Sequence, residues 1–284
     1  MTVANGLKHD DAGAVRSPLR RCGVNVAAAF AVLARPARIH LRNSWLLAPR
    51  QLAIAAGLTL LVFLLVMFVV DAAAINAVAH LPRWIVWCFD QITDFGKSGW
   101  FLWPLGILFL ALAALPSLPR VPQLVLTAVM VRVGFLFAAI GAPSLFDTIV
   151  KRMIGRARPL VGGSLDPYLF SPFKWDAAYA GLPSGHATTA FAVLVAFGTL
   201  WPRARTILWI YALLIAASRI VVTAHYPSDV LAGAVVGVVG ALLVRRYFAL
   251  RRLGFSIGPD GSVHQFPGPS LKRIKSVARE LLGQ

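Results

Sequence analysis

The chain has 284 residues, 58% of them hydrophobic and 14% charged, with a formal net charge of +17. Its apolar residues gather in runs near the length that crosses roughly 30 Å of hydrocarbon as a helix, which excludes an ordinary soluble domain and marks an integral membrane protein. The positive charge is spread over the two ends of the chain, which gives a nucleic-acid-binding role little support and suits contact with anionic lipid headgroups.

Residues 1 to about 21 are polar, and Cys22–Ala34 is an apolar run too short to cross, read as an interfacial or cytoplasmic helix. A basic start and a short apolar run resemble a signal peptide, but Arg35-Pro36-Ala37-Arg38 stands where small residues would mark cleavage. Six spans are predicted, over Gln51–Asp71, Trp100–Leu115, Gln123–Val150, Gly185–Trp201, Thr206–Ala224 and Ser228–Tyr247. The expected fold class is all-α, a polytopic membrane bundle of six transmembrane helices over 51–247. It lies between a basic N-terminal segment, 1–50, and a basic C-terminal tail, 248–284.

Positive residues are retained on the cytoplasmic side of short loops and flanks. Lys8, Arg16, Arg20, Arg21, Arg35, Arg38, Arg42 and Arg50 lie before the first span, and Arg245, Arg246, Arg251, Arg252, Lys272, Arg273, Lys275 and Arg279 lie at and beyond the end of the last. Both termini are therefore expected in the cytoplasm, and Arg120, Arg203 and Arg205 place the second and fourth loops there too. The third loop breaks the trend. It faces outward yet carries Lys151, Arg152, Arg156, Arg158 and Lys174, and binding an anion is the obvious use for them.

Between the spans, Ala72–Gly99, with Trp84, Trp87, Phe89, Asp90, Asp94 and Lys97, reads as an amphipathic segment in the outer interface. Its Gly96-Lys97-Ser98-Gly99 lacks the spacing of a nucleotide-binding loop. Leu160–Leu182, rich in Gly, Pro and aromatic residues, reads as an ordered outer loop or lid. The tail after Leu253 reads as soluble, with a basic helix over Ser270–Leu282. Cys22 and Cys88 fall on opposite sides of the bilayer and are not expected to bond. His9, His40 and His264 fall in cytoplasmic segments and His80 in the first outer loop, which leaves His186 and His225 within dense polar motifs at span ends. A metal held by these two and Asp229 is conceivable, but the surrounding cations make phosphate the better occupant.

Three motifs carry the chemistry. If the third span stays helical through Arg158, seven residues bring Lys151 and Arg158 to nearly the same face, two donors for one anion, and Pro159 then ends the helix. Alone, such a pair is more often two interfacial side chains reaching for water. Pro183-Ser184-Gly185-His186 makes a tight entry to the fourth span, whose exposed amides favour an anion, with a Ser184 hydroxyl to donate and Gly185 to allow close approach. A plain helix cap accounts for this tetrad equally well on its own. Arg219 lies within an apolar span, where a cation needs an anion or water. His225 follows six residues later and Asp229 four beyond it, a carboxylate able to take one ring N–H and leave the other nitrogen as a nucleophile. An Arg219–Asp229 ion pair with His225 as bystander is the bland alternative.

Lys151-x6-Arg158-Pro159, Pro183-Ser184-Gly185-His186 and Ser218-Arg219-x5-His225-x3-Asp229 together resemble, without a gap or substitution, the signature of the type-2 phosphatidic acid phosphatase superfamily. The likeness covers about residues 51–247. It implies a metal-independent phosphatase with no cofactor and a site at the outer membrane interface. In such a site His225 attacks phosphorus, Asp229 supports it, and His186 protonates the leaving oxygen. Lys151, Arg158, Ser184, Gly185 and Arg219 hold the phosphoryl oxygens. Six spans argue against the soluble vanadium haloperoxidases of the same superfamily. The implied partner is a membrane lipid phosphate: undecaprenyl diphosphate, phosphatidic acid, phosphatidylglycerol phosphate or a lipid A phosphate. An outward site suits a bacterial inner membrane. A phosphotransferase using the same phosphohistidine, and a non-enzymatic transporter, are the competing readings.

Overall fold

A computed structural model describes residues 18–34, 36–37, 48–115 and 118–281. Lys8, Arg16, Arg35, Arg38 and Arg42, used above to orient the chain, and His9 and His40 lie outside the described residues. The described chain is mostly helical, with a long irregular stretch between Ile154 and Gly185. Helix α1 (Pro18–Ala34) precedes α2 (Pro49–Leu65), which runs through a π-helical turn at Val66–Val70 into α3 (Asp71–Val78). After α4 (Arg83–Thr93) and a 3-10 turn come α5 (Gly99–Ala114), α6 (Arg120–Ile154), α7 (Gly185–Leu200), α8 (Arg205–Val221) and α9 (Pro227–Leu250). A two-stranded hairpin, β1 (Phe255–Ile257) and β2 (Val263–Gln265), and helix α10 (Leu271–Leu281) complete it.

Among the described residues five helical stretches are long and apolar enough to cross a membrane: Pro49–Val78, Arg83–Ala114, Arg120–Ile154, Pro202–Val221 and Pro227–Leu250. The sixth expected span is α7, apolar but only 16 residues long, about 24 Å at the rise of an α-helix. It is the inner helix of the bundle, packed against α6, α8 and α9. Ala187, Ala190, Ala192 and Ala196 are fully buried along it. Small residues admit close helix approach, and α9 answers with Gly233 and Gly237 one turn apart. A Cβ on either would stand 2.4 Å from Ser184 O or 2.3 Å from Thr188 O. By contrast α2 buries none of its residues and presents its leucines outward, as a lipid-facing helix does.

Two expectations are corrected. The stretch Ala72–Gly99 is not one interfacial segment: α3 continues the first span inward, because Asp71 is drawn into a buried polar cluster, and α4 packs on α8. The short run forms a helix that is not among the spanning stretches, and α1 is docked, with Asn25 donating to Ala113 O at 2.6 Å, and Tyr247 and Arg251 donating to Leu33 O. The tail after Leu253 is not wholly solvated, since Phe255 of the hairpin is 1% exposed with its ring 4.8 Å from that of Phe135. The expected basic helix is α10.

These contacts put α1 and the hairpin at the end of the bundle where α9 finishes. The chain reverses from α6 to α7, α7 to α8 and α8 to α9, so the C-terminal ends of α6 and α8 and the N-terminal ends of α7 and α9 share the opposite end. All three motifs lie there.

Candidate active site

Helix α6 stops at Ile154, four residues short of the length that would align Lys151 with Arg158. Gly155 ends it in the left-handed region, with φ of 65°, and its N–H caps Lys151 O. A Cβ there would lie 1.9 Å from Ser171 O. The chain then leaves extended, Ala157 N–H donating to Leu169 O and Arg158 N–H to Ala178 O, so the lid's backbone rather than a helix face positions Arg158. Lys151 is held separately, its Nζ 2.5 Å from Oδ2 of buried Asp147 one turn earlier. Burial pulls the Arg158 guanidinium below the usual arginine pKa, with Asp229 acting against that.

The five cations of the third loop and its flanks divide. Arg152 donates to Trp175 O at 2.9 Å and Lys174 sits 3.8 Å from the centre of the Tyr179 ring, so both brace the lid. Arg156 is fully buried and bonded to carboxylates. Lys151 and Arg158 remain for an anion.

Ser184 is the N-cap of α7. Its N–H donates to Asp229 O at 3.0 Å, which stitches the second motif to the third, and its buried Oγ has no hydrogen-bond partner among the described residues. Lys151 Nζ and Asp147 Oδ2 would each lie 3.0 Å from a Cβ at Gly185, so the lysine reaches the first turn of α7. His186 follows, its ring against Gly96 of the 3-10 turn after α4.

Arg219 is 7% exposed near the end of α8. Its Nη1 donates to Thr93 Oγ1, while its buried Nε, like that of Arg158, has no partner among the described residues. Among the described residues no carboxylate pairs with Arg219; the ion partner of Asp229 is Arg156, at 2.5 Å, which removes the bland reading of the third motif. His225 stands in the turn between α8 and α9. Its Nδ1 lies 2.8 Å from Gly181 O, and a carbonyl only accepts, so Nδ1 carries the proton and Nε2 the lone pair. Asp229 Oδ2 is 3.7 Å from Nδ1, an ion-pair distance rather than the expected hydrogen bond, because Tyr226 N–H and Arg156 occupy the carboxylate. Burial lowers the His225 pKa, with Asp229 opposing.

Against known proteins, the PAP2 superfamily model matches residues 132–253. The lipid A 1-phosphatase of Rhizobium johnstonii is 35% identical over 174 residues, 61% of this chain and 71% of that protein. That of Rhizobium etli is 35% identical over the same length, with 75% of it covered. The chain belongs to the PAP2 superfamily. It is a membrane lipid phosphatase. Among solved structures, Aquifex aeolicus LpxE overlaps with a TM-score of 0.45 at 20% identity, covering 61% of this chain and 93% of that one. A PAP2 type phosphatidylglycerolphosphate phosphatase from Bacillus subtilis overlaps at 0.42 and 19%, covering 79% and 94%.

In this PAP2 chain the motifs rest on residues outside them. Asp147 has a sequence signal, an acid four residues before a lysine on one helix. So does Asp71, an acid closing an apolar span, where charge is expensive unless paired. Thr93 and the Gly181 carbonyl have none, since neither residue type nor spacing marks them.

Proposed function

We propose that this PAP2 phosphatase hydrolyses the 1-phosphate of lipid A, or a closely similar glycolipid phosphate, through a phosphohistidine on His225, at the outward membrane face. The observation that carries the reading is the commitment of His225 Nδ1 to Gly181 O, which leaves Nε2 as the nucleophile. Arg158 Nε, Ser184 Oγ and Arg219 Nε are buried donors with no partner among the described residues, which suits phosphoryl oxygens.

In the first step the Nε2 lone pair forms a bond to phosphorus as the phosphorus–oxygen ester bond breaks, and His186 gives its proton to the leaving oxygen. In the second, His186 takes a proton from water, the hydroxide oxygen bonds phosphorus, and the nitrogen–phosphorus bond breaks, returning its electron pair to Nε2. The imidazolium character of the intermediate is balanced by Asp229, 3.7 Å away. Lys151, Arg158 and Arg219 supply the charge that a divalent ion supplies in other phosphatases. Lipid A is favoured over the other lipid phosphates by the likeness to the two rhizobial enzymes.

The test is phosphate release by detergent-purified wild type and His225→Ala, in excess chelator, from lipid A, phosphatidic acid, phosphatidylglycerol phosphate and undecaprenyl diphosphate. Release by wild type alone, fastest from lipid A, is expected. Release by His225→Ala would remove the nucleophile, a different preferred lipid would replace the substrate, and transfer to an added acceptor without free phosphate would make the enzyme a phosphotransferase.

A further inference from the structure

Beneath the nucleophile lies a buried polar cluster that ties Asp229 to residues outside the motifs. Arg156 is 0% exposed and uses all five of its N–H donors. Nη1 reaches Asp229 Oδ1 at 2.5 Å and Ser228 Oγ at 2.7 Å; Nη2 reaches Asp71 Oδ2 at 2.7 Å and Pro167 O at 2.9 Å; Nε reaches Pro167 O at 3.0 Å. The rings of Tyr226 and Phe170 flank the guanidinium. Asp71 is also fully buried and takes Ser228 N–H at 2.9 Å and Ser228 Oγ at 2.5 Å, so it caps the first turn of α9 from another helix. The π-helical turn at Val66–Val70 adds a residue to the helical register just before Asp71, which turns this one acid inward from a lipid-facing helix.

The charges do not cancel. Two buried carboxylates face one guanidinium, leaving one negative charge among these three groups, which favours cations beside Asp229: Arg158, already within electrostatic range of it, and any that forms nearby. The adjacent group that becomes cationic in the proposed reaction is His225. We infer that Asp71 and Arg156 are positioning residues of this phosphatase: Arg156 orients Asp229 toward His225, and Asp71 shares Arg156 so that the charge of Asp229 stays available to the phosphorylated imidazole. Without Asp71 the guanidinium would neutralise Asp229 alone. The inference rests on the phosphohistidine reading above.

The test reads the acid limb of the kcat/KM pH profile, which reports protonation of His225 in the free enzyme. The charged and titratable groups around that imidazole are Asp229 on α9, Arg219 on α8, His186 on α7, Asp147 on α6 and Arg158 in the lid. None of them is altered by the variants. Asp71→Asn keeps the shape and removes a negative charge, so the limb is expected to move down by about half a pH unit, with kcat reduced about tenfold and KM within about twofold. Arg156→Gln removes the cation and is expected to move the limb up. Asp71→Glu, which keeps the charge, should hold the wild-type limb whatever stability it loses. If one of the first two does not fold, the other decides alone. A limb fixed in an active Asp71→Asn chain, movement in the same direction in both, or a shift in Asp71→Glu equal to that in Asp71→Asn, would overturn the inference. Failure of the phosphohistidine reading shows separately, as an active His225→Ala.

Discussion

Lys151 Nζ lies 2.5 Å from Asp147 Oδ2, with Asp147 1% exposed and Thr188 Oγ1 donating to its other oxygen at 3.3 Å. The lysine that the first motif contributes is thus held in place by a buried carboxylate on its own helix. Asp147→Asn keeps the volume and the Thr188 contact but releases the lysine. Its kcat/KM for the lipid phosphate is expected to fall about tenfold to a hundredfold, as loss of one charge-assisted contact does. Phosphate-release kinetics check it, and a variant with wild-type kcat/KM would show that Lys151 needs no anchor.

Thr93 serves Arg219 in the same way. Its hydroxyl accepts from Arg219 Nη1 and from Ser218 Oγ, the latter at 3.0 Å. Thr93→Val keeps the shape and leaves both donors without that acceptor, a loss of about 1–3 kcal/mol. Weakened inhibition by vanadate, a phosphate mimic, is the expected reading, with Thr93→Ser closer to wild type.

The pH dependence follows from burial of His225. Burial lowers its pKa from the ordinary 6.5, so the neutral nucleophile persists below that value. Activity limited by His225 is expected to be flat above about pH 6.5 and to fall only on the acid side. Stability has the same sign. The contribution of the neutral imidazole is complete above the unfolded value and is lost as pH falls through the lowered folded value. An acid limb of the kcat/KM profile centred above 6.5 in the wild type would contradict this.

Gly237 is where α9 meets α7 with no room for a side chain, a Cβ there standing 2.3 Å from Thr188 O. Gly237→Ala is expected to destabilise the chain by about 1–3 kcal/mol, and Gly237→Leu to prevent folding. Thermal unfolding in detergent checks the first and yield of folded protein the second. Because Ser184 and Asp229 are bonded across this interface, activity should fall with stability.

The helices and the groups of the candidate site were largely legible in the sequence, for different reasons. A span has to hide its backbone from lipid over a set length, so apolar runs report it directly. Lys151, Arg158, His186, Arg219, His225 and Asp229 were legible because charge at the end of an apolar span is too costly to be incidental when three such clusters occur together. The short α7 shows where length misleads, since an inner helix lined by alanines need not match the bilayer as a lipid-facing one does.

What the sequence by itself determined is thus a helical membrane protein with three polar motifs at its span ends, since hydrophobicity and local spacing are written along the chain. Which groups those motifs lean on was decided only by the tertiary structure. The partners of Arg156 stand 85 and 73 residues away, at Asp71 and Asp229, and Arg219 finds Thr93 126 residues away. The Nδ1 proton of His225 is directed by the backbone carbonyl of Gly181, a group every residue possesses. Such pairings depend on a π-helical turn, a left-handed glycine and two glycines at a helix crossing, which act by bringing distant segments within hydrogen-bonding distance, and that distance has no signature in local composition.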